Sequence, residues 1–234
     1  MPHEERDSIA VSAKRLLTAI GSRLPSRWIY SLHAAINYLH IGRWMRDQGY
    51  HLVPKVRNRW QVFDAISARV KNERVLYLEF GVYEGASMRY WSSQLTHPEA
   101  RLHGFDSFEG LPESWGPYAK GHFTTDGRIP AVDDSRVTFF KGWFEEILPR
   151  YTPPPHDVLL IVMDADLYSS TLYVLNQMRR YIRPGTFIYF DEMNHVDHEP
   201  RAFEEFMTQS SLRFRPVCAD RTLAFACFEC IGPA

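Results

Sequence analysis

A chain of 234 residues, 45% apolar and 24% charged, has the length and composition of one globular domain with room for a short appendage. That excludes a disordered chain, a collagen and a coiled coil. The net charge of −1 gives no global pull toward nucleic acid or an anionic membrane.

The longest aliphatic run, Val158 to Met163, is too short to cross a bilayer. No charged segment followed by an apolar one opens the chain, and three cysteines do not make a disulfide framework, so a cytoplasmic home is expected. The charge is uneven. Residues 1–60 hold ten Lys/Arg against four acids, a balance of +6 that leaves −7 for the remainder. A solvated basic face explains this, as does a segment facing an acidic partner.

Residues 8–24 place Ile9, Leu16, Leu17, Ile20 and Leu24 at helical spacing, and Pro25-Ser26 breaks and recaps the chain. Trp28 to Met45 reads as a second helix whose stripe of Leu32, Ile36, Leu39 and Trp44 suits core or subunit packing. Gln61 to Val70 is a third. From Val75 the pattern changes to short apolar runs alternating with helical ones. Strands are predicted at 75–80, 101–106, 136–140, 157–164 and 186–190, and helices at 87–95, 143–148, 171–182 and 200–209. A hairpin of 212–217 and 223–228 closes the chain. Ser170 or Thr171 is expected to cap its helix. Alternating strands and helices imply an α/β fold with a mostly parallel sheet, and the hairpin adds an antiparallel edge. Gly110 to Asp134 is predicted to be a long functional loop. The division is a helical segment over 1–60 and one domain over 61–234.

In such a sheet ligands bind beyond the carboxyl ends of the strands. Acids stand at four of those ends: Glu79, Asp106, Asp164 with Asp166, and Asp191-Glu192. Gly81 and Gly85 make a strand-to-helix turn that lets backbone approach a ligand, but Glu79 takes the place of the first glycine of a dinucleotide fingerprint. An acid there repels a pyrophosphate and suits a cationic cofactor. Asp106 follows Gly81 at roughly the ~20-residue spacing of an acid that holds ribose hydroxyls. His195 or His198 would serve as an alternative base, or as ordinary loop histidines. Cys218, Cys227 and Cys230 read as buried structural thiols rather than a zinc site. Trp115, Tyr118 and His122 are candidates for a substrate wall.

The segments Tyr77–Ser87, Gly104–Pro112, Lys141–Phe144 and Asp164–Thr171 together resemble the motifs of class I S-adenosylmethionine-dependent methyltransferases, most of all the macrocin O-methyltransferase (TylF-type) family. The resemblance covers about residues 60–230. It implies a Rossmann-like seven-stranded sheet. It places Glu79, Phe80, Gly81, Tyr83, Gly85, Ala86 and Ser87 around the methionine end of the cofactor. Asp106 falls on the ribose, Ser107 and Phe108 beside the adenine, Gly142 and Trp143 along its pocket, and Asp164 near the sulfonium. It further implies a divalent ion, magnesium, on Asp164, Asp191 and position 192, where this chain carries Glu192 rather than Asp or Asn.

The expected function is methyl transfer to a hydroxyl of a sugar or other small natural product. Asp164, with or without a metal, would assist deprotonation, with Asp191 and His195 as further catalytic candidates. The N-terminal helices would form a lid or dimerisation surface of a homo-oligomer. A non-catalytic cofactor-binding scaffold and a nicotinamide-dependent oxidoreductase remain as alternatives.

Overall fold

The computed structural model describes residues 2–233. The side chains of residues 2–9, and with them Ile9 of the first apolar stripe, lie outside the described residues, as does that of Leu52. Two long helices come first, α1 (Pro2–Gly21) and α2 (Ser26–Asp47), then strand β1 (Lys55–Val56) and helix α3 (Arg59–Val70). The main alternation runs β2 (Val75–Phe80), α4 (Ala86–Gln94), β3 (Arg101–Asp106), β4 (Val137–Lys141), α5 (Phe144–Ile147), β5 (Val158–Met163), α6 (Tyr168–Met178), β6 (Phe187–Phe190) and α7 (Glu199–Ser210). The chain ends in β7 (Leu212–Asp220) and β8 (Ala226–Pro233).

The strands form one sheet in the order β1-β7-β8-β6-β5-β2-β3-β4. Every pair is parallel except β6–β8 and β7–β8, so the closing hairpin supplies the antiparallel edge. The sheet has eight strands rather than the expected seven. The extra one, β1, pairs Lys55 with Ala219 beside β7. Two residues carry too little periodicity to be read as a strand, and their pairing partner lies more than 160 residues away.

Side-chain alternation divides the core into two layers. Leu76, Leu78 and Phe80 point to the face covered by α6, α7 and the end of α2, together with Phe105, Leu175, Phe190 and Phe203. Val75 and Tyr77 point to the other face, covered by α3 and α4 through Val62, Phe63, Ile66, Met88 and Trp91. Each such large side chain contributes roughly 1.5–3 kcal/mol on full burial. Gly104 in β3 belongs to this tight layer, since a Cβ there would stand 2.8 Å from both Phe139 and Val82.

Two local expectations are corrected. Helix α6 starts at Tyr168 after Leu167, without a side-chain cap, so neither Ser170 nor Thr171 caps it. Both are buried in its first turn. The apolar stripe of α2 is not core either. Leu32, Ile36 and Leu39 are 56%, 51% and 73% exposed, and of the residues in that stripe only Trp44 is buried. Helix α2 docks by its C-terminal half, where Trp44 meets Tyr50 edge-on at 5.4 Å and Asn37 bonds the backbone of Asn194 and Val196.

Candidate active site

Strand order reverses between β2 and β5: from β2 the chain moves outward through β3 and β4, then returns to β5 and continues through β6. This is the switch point at which open α/β sheets bind ligands. A cavity of about 360 Å³ opens there. Among the described residues, six acids line it (Asp106, Glu145, Asp164, Asp166, Asp191 and Glu192) with Arg59 as the one basic residue. So acidic a lining favours a cationic ligand.

The acids are placed by strand register. β5 and β6 pair up to Met163–Phe190, and the ladder continues by one bond from the Asp191 N–H to the Met163 carbonyl, 3.0 Å, so Asp164 and Asp191 leave adjacent strand ends. Both continue the alternation toward the α3 face, as does Glu79 after Val75 and Tyr77. Helix α3 begins at that edge. Asn58 caps it by accepting the Gln61 N–H at 3.1 Å, and the next residue, Arg59, projects over the strand ends. Its Nη2 lies 3.4 Å from Asp164 Oδ2, 3.1 Å from Asp191 Oδ1 and 2.9 Å from the Ser87 hydroxyl.

Burial and the neighbouring Asp191 push Asp164 well above the ordinary carboxyl range, with Arg59 opposing the rise. Burial likewise raises Asp191, against Arg59 and a 2.5 Å hydrogen bond from the Tyr189 hydroxyl. Burial raises Asp166 to about 7 and Glu192 to about 8, each helped by Asp191.

The turn after β2 is built for close approach. Gly81 has φ +89°, and a Cβ there would lie 1.8 Å from the Asp164 carbonyl oxygen. Asp106 fastens this turn: Oδ2 accepts the N–H groups of Val82 and Tyr83 at 2.7 and 2.8 Å, and Oδ1 accepts that of Phe108 at 2.7 Å. A carboxylate has about four lone-pair sites, so capacity remains for a ligand. Tyr83, Phe108 and Asp166 hold positive φ around the cavity, a strain that side-chain-bearing residues carry mainly at functional sites.

Residues 78–193 match the family model described as a methyltransferase domain. Over those residues the chain is similar to methyltransferase domains. Among its relatives is the 8-demethyl-8-(2,3-dimethoxy-alpha-L-rhamnosyl)-tetracenomycin-C 4'-O-methyltransferase of Streptomyces olivaceus, 27% identical over 140 residues that make up 49% of this chain and 51% of that protein. Another is the mycinamicin III 3''-O-methyltransferase of Micromonospora griseorubida, 30% identical over 99 residues, 41% of this chain and 36% of that one. The matched part thus spans about half of the first relative and about a third of the second. The crystal structure of a calicheamicin methyltransferase shares the fold, with a TM-score of 0.54 at 19% identity, covering 96% of this chain and 92% of that one.

Within this matched region, Gly81, Tyr83, Asp106, Ser107, Gly142, Trp143 and Asp164 line the cavity, together with Asp191 and Glu192. Several other predicted cofactor residues do not. Phe80 is fully buried and stacks on Phe105 at 4.9 Å, because the residue after Glu79 must face the opposite layer. Phe108 is buried too. Gly85 and Ala86 start α4 behind the turn, and Ser87 is buried beneath Arg59.

Glu79 is buried under the cavity floor, its Oε2 without a hydrogen-bond partner, and burial pushes it to about 8. His195 stands in an adjoining cavity of about 500 Å³ with Tyr30, Tyr38 and His198. Its Nε2 is 3.7 Å from Glu192, and burial lowers its pKa. Trp115 and Tyr118, stacked at 5.4 Å, border both cavities, and His122 stacks on Tyr118 at 4.6 Å, outside both linings.

Asp164, Asp191 and Glu192 line the same cavity, though among the described residues no three His, Cys, Asp or Glu side chains group as a metal site. The guanidinium of Arg59 stands between the first two instead. The cysteines are free and buried, and burial pushes Cys218 to about 11.

Sequence reasoning missed Arg59 and Glu199. Arg59 sits in a basic stretch with no pattern to mark it. Glu199 is fully buried at the start of α7, where one oxygen accepts the Glu192 N–H at 2.8 Å and the other is unpartnered. A Glu-Pro pair opening a helix was the one available signal. No described helix is long and apolar enough to cross a membrane.

Proposed function

We propose that this protein transfers a methyl group from S-adenosylmethionine to a hydroxyl of a sugar or other small natural product. The observation that carries the reading is the acidic cavity at the strand switch with the Asp164–Asp191 pair at its floor. The donor fits it: a sulfonium and an ammonium meet six lining acids, and the buried, unpartnered Glu79 lies beneath the glycine turn. Glu79, Gly81, Tyr83 and Asp164 would hold the methionyl end, Asp106 the ribose, and Ser107, Gly142 and Trp143 the adenine side. When bound, the donor supplies the methyl carbon and leaves as the neutral thioether.

The chain's own residues do the rest. Asp164 takes the proton of the acceptor hydroxyl as the oxygen attacks, its ionised form favoured by the Arg59 guanidinium 3.4 Å away. Asp191 shares the negative charge with it, and most of the remaining acceleration comes from alignment. Trp115 and Tyr118 offer apolar faces at the mouth on which a sugar ring stacks, and the adjoining cavity extends the acceptor site. His195 there would act as a second base only toward an acceptor lodged in that cavity.

Magnesium is not part of the proposal, because Arg59 stands where two of its ligands would meet. Helix α2 would supply a lid over the second cavity, through Tyr30, His33 and Tyr38. The exposed Leu16, Leu17 and Leu39 offer a surface for self-association.

Calorimetry with S-adenosylhomocysteine, followed by labelled-methyl transfer to fractionated natural-product extracts, tests the reading. Tight binding and labelled product are expected, and binding of NAD in place of the nucleoside thioether would overturn it.

A further inference from the structure

We propose that Arg59 is a built-in cation that takes the place of a divalent ion between Asp164 and Asp191, acting as the positioning residue of a metal-independent site; this rests on the methyltransferase reading above. Four observations support it. A single nitrogen of Arg59 reaches both carboxylates, at 3.4 and 3.1 Å, which is the bridging position. The side chain is anchored from behind: it donates to the Ser87 hydroxyl at 2.9 Å and lies 5.5 Å from the Trp60 ring centroid and 5.7 Å from that of Phe63.

The third observation is its place on the helix. Arg59 is the first residue of α3, a turn without acidic residues, where the helix dipole disfavours a cation. The two strand-end carboxylates offset that cost. Finally, the third position of the expected ligand set carries Glu192, which donates its backbone N–H to Glu199 and directs its side chain toward His195 rather than to the pair.

The charge balance then differs from that of a metal site. One guanidinium brings a single positive charge where a divalent ion brings two, so the site stays more favourable to a cationic methyl donor. An ion added beside Arg59 would meet a like charge at contact distance. Arginine also holds its charge at every pH a protein survives, so the bridge does not depend on metal supply.

The test uses the full chain and Mn²⁺ as the probe, read by calorimetry and electron paramagnetic resonance with S-adenosylhomocysteine present. Wild type is expected to bind the nucleoside and to take up no stoichiometric Mn²⁺. Arg59→Ala is expected to gain one Mn²⁺ site, roughly tenfold or more tighter than any wild-type uptake, as the like charge is removed and open carboxylates remain. Asp191→Asn in that background should abolish the gain. Arg59→Lys should restore exclusion of the ion, a rescue that a purely structural role would not give.

One equivalent of Mn²⁺ on the wild-type chain, lost in Asp164→Asn, overturns the inference. So does an Arg59→Ala protein that still binds S-adenosylhomocysteine yet gains no ion. The wild-type titration decides even if Arg59→Ala fails to fold. Failure of wild type to bind S-adenosylhomocysteine would instead overturn the methyltransferase reading, and the two failures are thereby distinct.

Discussion

Replacement of Asp106 separates two roles that one carboxylate performs. Its three hydrogen bonds to the N–H groups of Val82, Tyr83 and Phe108 hold the glycine turn of β2 against the end of β3. A bond to a charged acceptor is worth roughly 1.5–3 kcal/mol, but water can enter the cavity and satisfy part of what Asp106→Ala exposes, so a net loss of about 2–4 kcal/mol is expected. For a chain of this size that lowers Tm by roughly 5–15 °C, which a thermal melt resolves.

Asp106→Asn is the control. Its carbonyl can keep Val82 and Tyr83, but its amide then faces the Phe108 N–H donor to donor, so about half the loss should remain. Binding of S-adenosylhomocysteine reads the second role. One ribose hydroxyl released from the remaining acceptor site of the carboxylate corresponds to roughly 1.5–3 kcal/mol, or about tenfold to a hundredfold in Kd. A lowered Tm with unchanged Kd would refute the ribose assignment and leave the brace intact. Unchanged Tm in Asp106→Ala would refute the brace.

Three further outcomes follow from the same geometry. Glu79 is pushed to about 8 by burial, above its value in the unfolded chain, so its share of stability is full below about pH 4.5 and is lost as pH rises toward 8; Glu79→Gln should therefore melt higher than wild type above that range, converge with it in mild acid and weaken donor binding. Gly81→Ala puts a Cβ 1.8 Å from the Asp164 carbonyl at φ +89°, and a loss of about 3 kcal/mol or more, or insoluble expression, is expected. Light scattering should show an oligomer that Leu16→Glu with Leu39→Glu dissociates, since these side chains are 62% and 73% exposed; a monomeric wild type would remove the self-association reading.

Much was legible without coordinates, and for local reasons. Strands such as Val75–Phe80 and Arg101–Asp106 announce themselves because a buried parallel strand is a short apolar run closed by a turn. Acids at strand ends were visible because the end of an apolar run is visible, and the parallel order then places those ends on one edge. The four motifs carried the family for the same reason: each is contiguous.

What the chain alone did not reveal is which side each neighbour faces and what arrives from far away. Phe80 follows Glu79 in every motif reading, yet strand alternation sends one to the floor of the cavity and the other into the opposite core layer. The α2 stripe had helical spacing, but only Trp44 found a partner. Above all, Asp164 and Asp191 invited a cation from the sequence. Only the packing of α3 across the strand ends, 105 residues from one and 132 from the other in the chain, brought the side chain of Arg59 between them.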